Sequence, residues 1–344
     1  MRYLRELIPG LLVVALVATA AFLIHGQLPK PAQQVLGEVI FAVAIGLLVG
    51  NLWQLPEATR SGISFGFGSL LRLAIVLLGA RLSLTEVAAI GGKAFGMIVC
   101  LMTLALLVAH GLGRVLGVSP RLASLIGVGT SVCGNTAISA TGPVIGARDE
   151  EISFAIATNT LLGTLAVFAY PLLGHSFGMD DATFGTWVGT AVNDTSQVVA
   201  ASFAYSETAG EVATTVKLTR NALMGLVIVL MGFLHGGAEA KQEGFLVRLK
   251  QSLPPFVLAF LGMALLRTFG ALAWAGGALG IDLVGLFSSA AKVAILGALA
   301  AVGLSTKAST LRATGPRPFY VGLATAVLGS LASLLLISIF GPAG

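Results

Sequence analysis

"VGTSVCGNTA" occupies residues 128–137 of a 344-residue chain. Its glycines, hydroxyls, thiol and amide sit inside a stretch that otherwise reads as hydrocarbon. A bilayer core offers no water to unpaired N–H and C=O groups, so a helix can break there only where protein or a water-filled cavity surrounds the break. How this decamer is read therefore decides the fold. Around it, 56% of the residues are hydrophobic and only 10% are charged, with a mean hydropathy of +0.95. That composition excludes an ordinary soluble domain and implies an all-α polytopic membrane protein, one membrane domain over 1–344.

Apolar runs long enough to span a bilayer as helices fall near 7–25, 35–52, 62–80, 94–113, 151–174, 211–234, 253–274, 284–304 and 318–341, which predicts nine crossings. Two further segments, 120–147 and 181–206, are apolar but interrupted by polar clusters. The first run follows Arg2 and Arg5, but no small-residue cleavage site comes after it, so it reads as a retained helix. With those arginines in the cytoplasm, the inside loops hold Arg60, Arg114, Arg121, Arg148, Lys241, Arg248, Lys250, Lys307, Arg312 and Arg317 as well. The outside loops keep Lys30, Arg81, Lys93 and Arg267. This asymmetry follows the positive-inside rule and predicts a bacterial-type inner membrane location with a cytoplasmic N-terminus. The net charge of +5 thus reports orientation and gives no reason to expect nucleic acid. Cys100 and Cys133 both lie in apolar segments, which supports neither a disulfide framework nor a metal site.

The opening decamer has an internal echo. At an ungapped offset of 60 residues it lies over "VGTAVNDTSQ" (188–197), and Glu151 lies over Glu211. A second echo pairs "RLAIVLLGARLSLT" from Arg72 with "KVAILGALAAVGLS" from Lys292. Together these suggest two pseudo-repeats, 35–174 and 181–341. Parity sets their relation. If both polar segments crossed fully, one echoed pair would be parallel and the other antiparallel, which no single symmetry operation allows. If each is a re-entrant hairpin, both pairs become inverted about an axis in the membrane plane. Each arm then has about eleven residues, or about 16 Å, half a bilayer, and the tips fall at mid-depth. Fully crossing broken helices remain the alternative geometry.

Half-helix N-termini after such breaks, around Gly134–Asn135 and Asp194–Thr195, carry free N–H groups and partial positive charge suited to an anion. Small polar residues such as Thr130, Ser131 and Thr136 also serve plain helix packing, but packing alone does not demand breaks in two echoed segments. Cations form a second line of inference. Arg72 and Lys292 lie well inside their spans, and Lys217 and Arg220 share one helical face. At the bilayer centre each costs roughly 2.5 to 3.5 kcal/mol, on the order of 12 kcal/mol for four. Asp194 is the only acid at comparable depth, so the interior should attract an anion. Snorkelling is the competing account, strongest for Lys217. A salt bridge from Asp194 to Lys217 or Arg220 competes with a coupling role for that carboxylate.

"GTSVCGNTAI", "FGTWVGTAVNDTSQVVAA", "ATTVKLTRNALM" and "AAVGLSTKAS" together resemble the YeiH-type membrane protein family, whose members are named as sulfate exporters. The resemblance runs over residues 35–341. It implies kinship with bile-acid symporters and cation–proton antiporters, an inverted-repeat fold, and a substrate site where two interrupted helices meet. In that site Cys133, Gly134, Asn135 and Thr136 form one half and Asn193, Asp194, Thr195, Ser196 and Gln197 the other. Many relatives carry histidine where this chain has Asn193, so proton coupling through that histidine does not carry over.

The expectation is a secondary active transporter that moves a small anion, a sulfate-like oxyanion or an organosulfur anion, by alternating access. Thr130, Ser131, the two tips, Arg72, Lys217, Arg220 and Lys292 would bind it, and Asp194 would bind a coupling H+ or Na+. An anion channel, or a carrier of a small organic carboxylate, is the alternative. An enzyme would need Cys133 with a base, yet the histidines at 25, 110, 175 and 235 all lie near span ends. No cofactor or metal is implied. The partners are the anion and the bilayer, with a homodimer left open.

Overall fold

A computed structural model of the chain describes residues 2–29, 38–235, 255–306 and 316–343. Lys30, Lys241, Arg248, Lys250, Lys307 and Arg312, used above to orient the loops, lie outside the described residues. The described chain is helical throughout: α1 (Arg2–Gly26), α2 (Glu38–Leu52), α3 (Glu57–Leu78, with a π turn over Gly66–Leu70), α4 (Leu84–Val115), α5 (Pro120–Ser131), α6 (Asn135–Val144), α7 (Asp149–Ser176), α8 (Asp181–Ala191), α9 (Thr195–Tyr205), α10 (Glu207–Leu234), α11 (Pro255–Thr268), α12 (Ala271–Leu279), α13 (Leu283–Ser305) and α14 (Pro316–Phe340).

Seven of these helices are long and apolar enough to cross a membrane, and an eighth is added if α11 and α12 count as one bent span. Seven of the nine expected runs are among them, and the runs at 35–52 and 253–274 differ within the described residues. The run at 35–52 is described from Glu38 onward, as the 15 residues of α2, about 22 Å of helix. The run at 253–274 bends by 70° between α11 and α12, where Gly270 takes the left-handed conformation (φ 70°) that ends one helix and starts the next.

Two bodies of helices share the core. In one, α1, α2, α3, α11 and α13 pack around Val43, Ile75, Phe260 and Leu299, a core that Val167 of α7, Val199 of α9 and Leu218 of α10 join from the other body. Backbones touch there: a methyl group on Gly303 would lie 2.3 Å from Val43 O, and one on Gly46 would lie 2.5 Å from Ala300 O, the close approach that small residues permit between membrane helices. In the other, α4 to α10 and α14 pack around Ile98, Leu125, Ile138, Val188 and Val216. Outward-facing Leu16, Leu107, Val293 and Leu335 stay exposed, as expected of a lipid-facing surface. The most enclosed long helix is α10, with 67% of its apolar window buried, against 17% for α14. Yet α10 also carries Lys217, Arg220 and Asn221.

The short helices α5 and α6 fold back on each other. Glu151, in the first turn of α7, reaches both ends of the pair: it accepts from Ser119 Oγ ahead of α5 and from Arg148 N after α6, the latter at 2.9 Å. Midway, a methyl on Gly129 of α5 would lie 2.6 Å from Ile138 Cδ1 of α6. The helices α8 and α9 do the same. Tyr205 donates to Met179 O, Ser206 Oγ donates to Asp181 Oδ1 at 2.7 Å, and the rings of Phe184 and Tyr205 stack. Between the hairpins runs α7, 28 residues long, about 42 Å. Its Asp149 end adjoins the open end of the first hairpin, and its Ser176 end adjoins that of the second, where His175 stacks on Tyr205 at 4.3 Å.

Candidate functional site at the meeting of two hairpin tips

The two chain reversals differ in chemistry. In the first, α5 stops at Ser131, Val132 leaves the helical region (φ −115°, ψ −103°), and Gly134 takes φ 71°, ψ −127°, a conformation open in practice only to glycine. In the second, Val192 and Asp194 are extended, and Asp194 Oδ1 accepts from Ser196 N at 3.0 Å and from Ser196 Oγ at 2.7 Å. Asp194 is thus the N-cap of α9.

The tips touch. A methyl on Gly134 would lie 2.8 Å from Asp194 Oδ2, 2.8 Å from Asn159 Nδ2 and 3.0 Å from Asp194 Cα. At the same junction the last turns of α5 and α8 leave carbonyls without helical donors, and α10 supplies those donors. Lys217 Nζ donates to Val132 O at 2.7 Å, to Val192 O at 3.0 Å and to Asn193 O. Arg220 donates through Nε to Ser131 O at 3.0 Å, through Nη1 to Thr190 O at 2.5 Å, and through Nη2 to Thr130 O. Both cations are buried, at 0% and 2% exposure. They sit at the negative ends of two helix dipoles, and each bonds to both hairpins.

The N-termini of α6 and α9 begin just past the breaks. Asn135 is held by Asn159 Nδ2 donating to its Oδ1 at 2.8 Å and by its own Nδ2 donating to Thr160 Oγ1 at 3.1 Å. Asn221 Nδ2 donates to Thr195 Oγ1 at 3.2 Å, and Gln197 Nε2 to Thr160 O at 3.4 Å. Cys133 is buried with its Sγ 3.3 Å from Met224 Sδ. Asn135, Asp194 and Thr195 are half-buried and Thr136 is exposed, so the N–H ends retain access that the carbonyl ends lack. Asn159 Oδ1 and Gln197 Oε1 are buried and accept no hydrogen bond.

A family model described as Conserved hypothetical protein 698 matches residues 9–322. The chain belongs to this family. It is also 34% identical to a UPF0324 membrane protein of Agrobacterium fabrum, over 98% of this chain and 94% of that one. A UPF0324 membrane protein of Streptococcus agalactiae serotype V is 34% identical over 98% of each chain. One of Clostridium tetani is 30% identical over 98% of this chain and 96% of its own. With its long apolar helices, this family member is a multi-pass membrane protein.

In this family member the residues expected to bind substrate divide into two groups. Thr130, Ser131, Cys133, Gly134, Asn135, Thr136, Asn193, Asp194, Thr195, Ser196, Gln197, Lys217 and Arg220 lie at or beside the junction. Arg72 and Lys292 do not bond to it. Arg72 is exposed on α3 and has no hydrogen bond or ion pair among the described residues. Lys292 is 54% exposed and pairs with Glu207 Oε1 at 2.8 Å. Glu207 also meets Arg81, whose Nε lies 2.8 Å from Glu211 Oε1 as an ion pair. No ion pair joins Asp194 to Lys217 or Arg220 among the described residues; the carboxylate caps its own helix. The sequence reading missed Asn159, Thr160 and Asn221, although "TNT" at 158–160 inside an apolar span was a usable signal.

Proposed function

We propose that the chain is a secondary active transporter that carries a small anion by alternating access, with the anion resting at the hairpin junction. The observation that carries this reading is the charge balance there. The partial charges of two helix C-termini and two N-termini, about half a charge each, cancel. Lys217 and Arg220 then outweigh Asp194 by one positive charge, a surplus that favours a monovalent anion or part of the charge of a divalent one. In this reading the hairpins α5–α6 and α8–α9 are re-entrant, enter from opposite membrane faces and belong to two inverted pseudo-repeats, 35–174 and 181–341. The offset of 60 residues that aligns the two polar strings also aligns the helix bounds: α5 ends at Ser131 and α8 at Ala191, α6 starts at Asn135 and α9 at Thr195. Tips buried at half depth satisfy the rule that irregular backbone survives in a bilayer only inside protein.

The resemblance to the YeiH-type family points to a sulfate-like oxyanion or organosulfur anion, bound by the N–H groups and by the side chains of Asn135, Thr136, Thr195 and Ser196. Asp194 is the coupling group for H+ or Na+, with the unpartnered oxygens of Asn159 and Gln197 as further acceptors for a cation. Rocking of the α4–α10 and α14 body against the α1–α3, α11 and α13 body would expose the tips alternately. The ion cluster of Arg81, Glu207, Glu211 and Lys292 bridges those bodies in the structure and would break in one of the two states. We place the chain in a bacterial-type inner membrane with the N-terminus in the cytoplasm, and read it as a carrier rather than an enzyme.

The test is counterflow and electrogenic current in proteoliposomes, screened against sulfate, sulfite, thiosulfate, sulfonates and small carboxylates. Saturable counterflow of one anion is expected. Conductance without counterflow would mean a channel, and no response to any anion would overturn the reading. Cysteines placed at Arg148 and Asp181 should label from opposite faces; labelling from one face would remove the re-entrant geometry.

A further inference from the structure

The ion cluster at the start of α10 is a second place where cations and carboxylates meet. Arg81 sits in the turn between α3 and α4, Lys292 on α13, and Glu207 and Glu211 at the start of α10. Arg81 Nη1 and Lys292 Nζ converge on one acceptor, Glu207 Oε1, the lysine at 2.8 Å, while Arg81 Nε lies 2.8 Å from Glu211 Oε1. The side chains are 26% exposed for Arg81, 38% for Glu207 and 54% for Lys292, whereas Lys217 and Arg220 are closed in. Glu207 and Lys217 lie on the same helix, about 15 Å apart at 1.5 Å per residue. An open cluster and an enclosed junction thus share one rod.

Charge decides what the cluster can hold. With Glu207 in place, two cations face two carboxylates, and two further charges nearby, Glu86 and Arg267, offset each other. Glu207 and Lys292 belong to different bodies, so the rocking motion parts them. Lys292 then has no ion pair among the described residues, and Arg81 keeps Glu211 alone. Two cations against one carboxylate leave one positive charge, the same surplus that Lys217 and Arg220 leave over Asp194 at the junction. A lysine left bare within a membrane span is costly. Glu207 serves both donors with a single oxygen, whereas a free oxyanion can give Arg81 Nη1 and Lys292 Nζ an oxygen each, as charge-assisted hydrogen bonds. The carboxylate therefore stands where a ligand of the same chemistry fits.

We propose that Arg81 and Lys292 form a peripheral loading site for the transported oxyanion, which Glu207 fills in the state described here and yields when the two bodies part. The loading role rests on the carrier reading above; the binding itself does not. Glu207 is then a specificity device, because a solute must match the charge of a carboxylate to displace it. The equal surplus at the two sites lets one anion pass from the open site to the enclosed one without a change in its own charge.

The experiment uses the full chain in lipid nanodiscs with Glu207→Gln, and follows acylation of Lys292 by the uncharged reagent N-acetoxysuccinimide through peptide mass spectrometry. Inorganic sulfate is the probe, with potassium chloride at equal ionic strength as the reference for screening. Sulfate should slow acylation of Lys292 saturably, and chloride should not. With native Glu207 the half-protecting sulfate concentration should be roughly tenfold higher, because the carboxylate competes through two weak pairs. Arg81→Gln in the Glu207→Gln background should remove the protection, and Arg81→Lys should retain part of it. Equal slowing by sulfate and chloride would overturn the proposal. Protection that survives Arg81→Gln would overturn it too, since Lys292 would then act alone. The sulfate–chloride comparison requires no change at Arg81, so a folding defect there cannot obscure the answer. Counterflow without protection of Lys292 removes this site and leaves the carrier standing; protection without counterflow keeps the site and removes the carrier.

Discussion

The hairpin α5–α6 and the hairpin α8–α9 share length, register and a cationic partner helix, yet they reverse by different means. The first relies on a glycine at positive φ, and among the described residues no side chain caps the N-terminus of α6. The second relies on a carboxylate that caps the N-terminus of α9. Two geometrically similar half-helix ends are therefore built differently: the α6 end has no side-chain cap, and the α9 end is capped by Asp194, whose second carboxylate oxygen also lies beside Gly134 at the α6 end. Similar backbone geometry does not make two equal half-sites. In the proposed reading, Asp194 is the group that decides how much positive charge remains for an anion at either end.

The largest expected effect comes from the element that the hairpins share. Lys217→Met should strip three carbonyls of their donor and separate the tips, costing about 3 kcal/mol or more. A large fall in thermal unfolding temperature in detergent would show it; an unchanged one would mean that the hairpins hold without α10. Gly134→Ala acts on the first hairpin alone. Positive φ together with two 2.8 Å contacts should cost about 1–3 kcal/mol. Asn193→Gly, in the extended second reversal, should cost visibly less in the same assay, and equal losses would erase the contrast.

The next pair tests charge rather than shape. Asn135→Asp would give the first hairpin a carboxylate like the second and should weaken anion counterflow by about tenfold, about 1.4 kcal/mol. Asp194→Asn should leave counterflow measurable while removing its dependence on pH or sodium. If that dependence persists, Asp194 is a helix cap and nothing more. The smallest effect is expected at Glu207→Gln, whose half-exposed pairs with Arg81 and Lys292 are worth about 0.2–1 kcal/mol each; its signature should be a changed ratio of inward to outward flux rather than lost stability.

Much of this arrangement can be read along the chain, and the unread part has a physical cause. Hydropathy places the helices because each must bury its own backbone in lipid, but it counts the α11–α12 bend as one full span, since composition does not register a left-handed Gly270. The polar strings at 128–137 and 188–197 do contain the points where helices stop. The spacing of Lys217 and Arg220 places both on one face of α10. Their partners, the carbonyls of Thr130, Ser131, Thr190 and Val192, have no signature, because every residue carries a carbonyl and only folding decides which ones lack a donor. Lys292 looked buried by its position in an apolar run, yet it reaches Glu207 at the bundle edge.

The amino-acid string by itself determined that this is a multi-pass helical membrane protein with two polar breaks sixty residues apart and more buried cations than acids, because hydropathy, helix punctuation and charge are local properties of a chain. Only the tertiary structure decided that the breaks touch, that α10 ties their carbonyl ends together, and that Asp194 caps its own helix instead of pairing with Lys217. Those outcomes depend on which backbone groups are left without partners once distant segments pack, and that is a property of the assembled molecule.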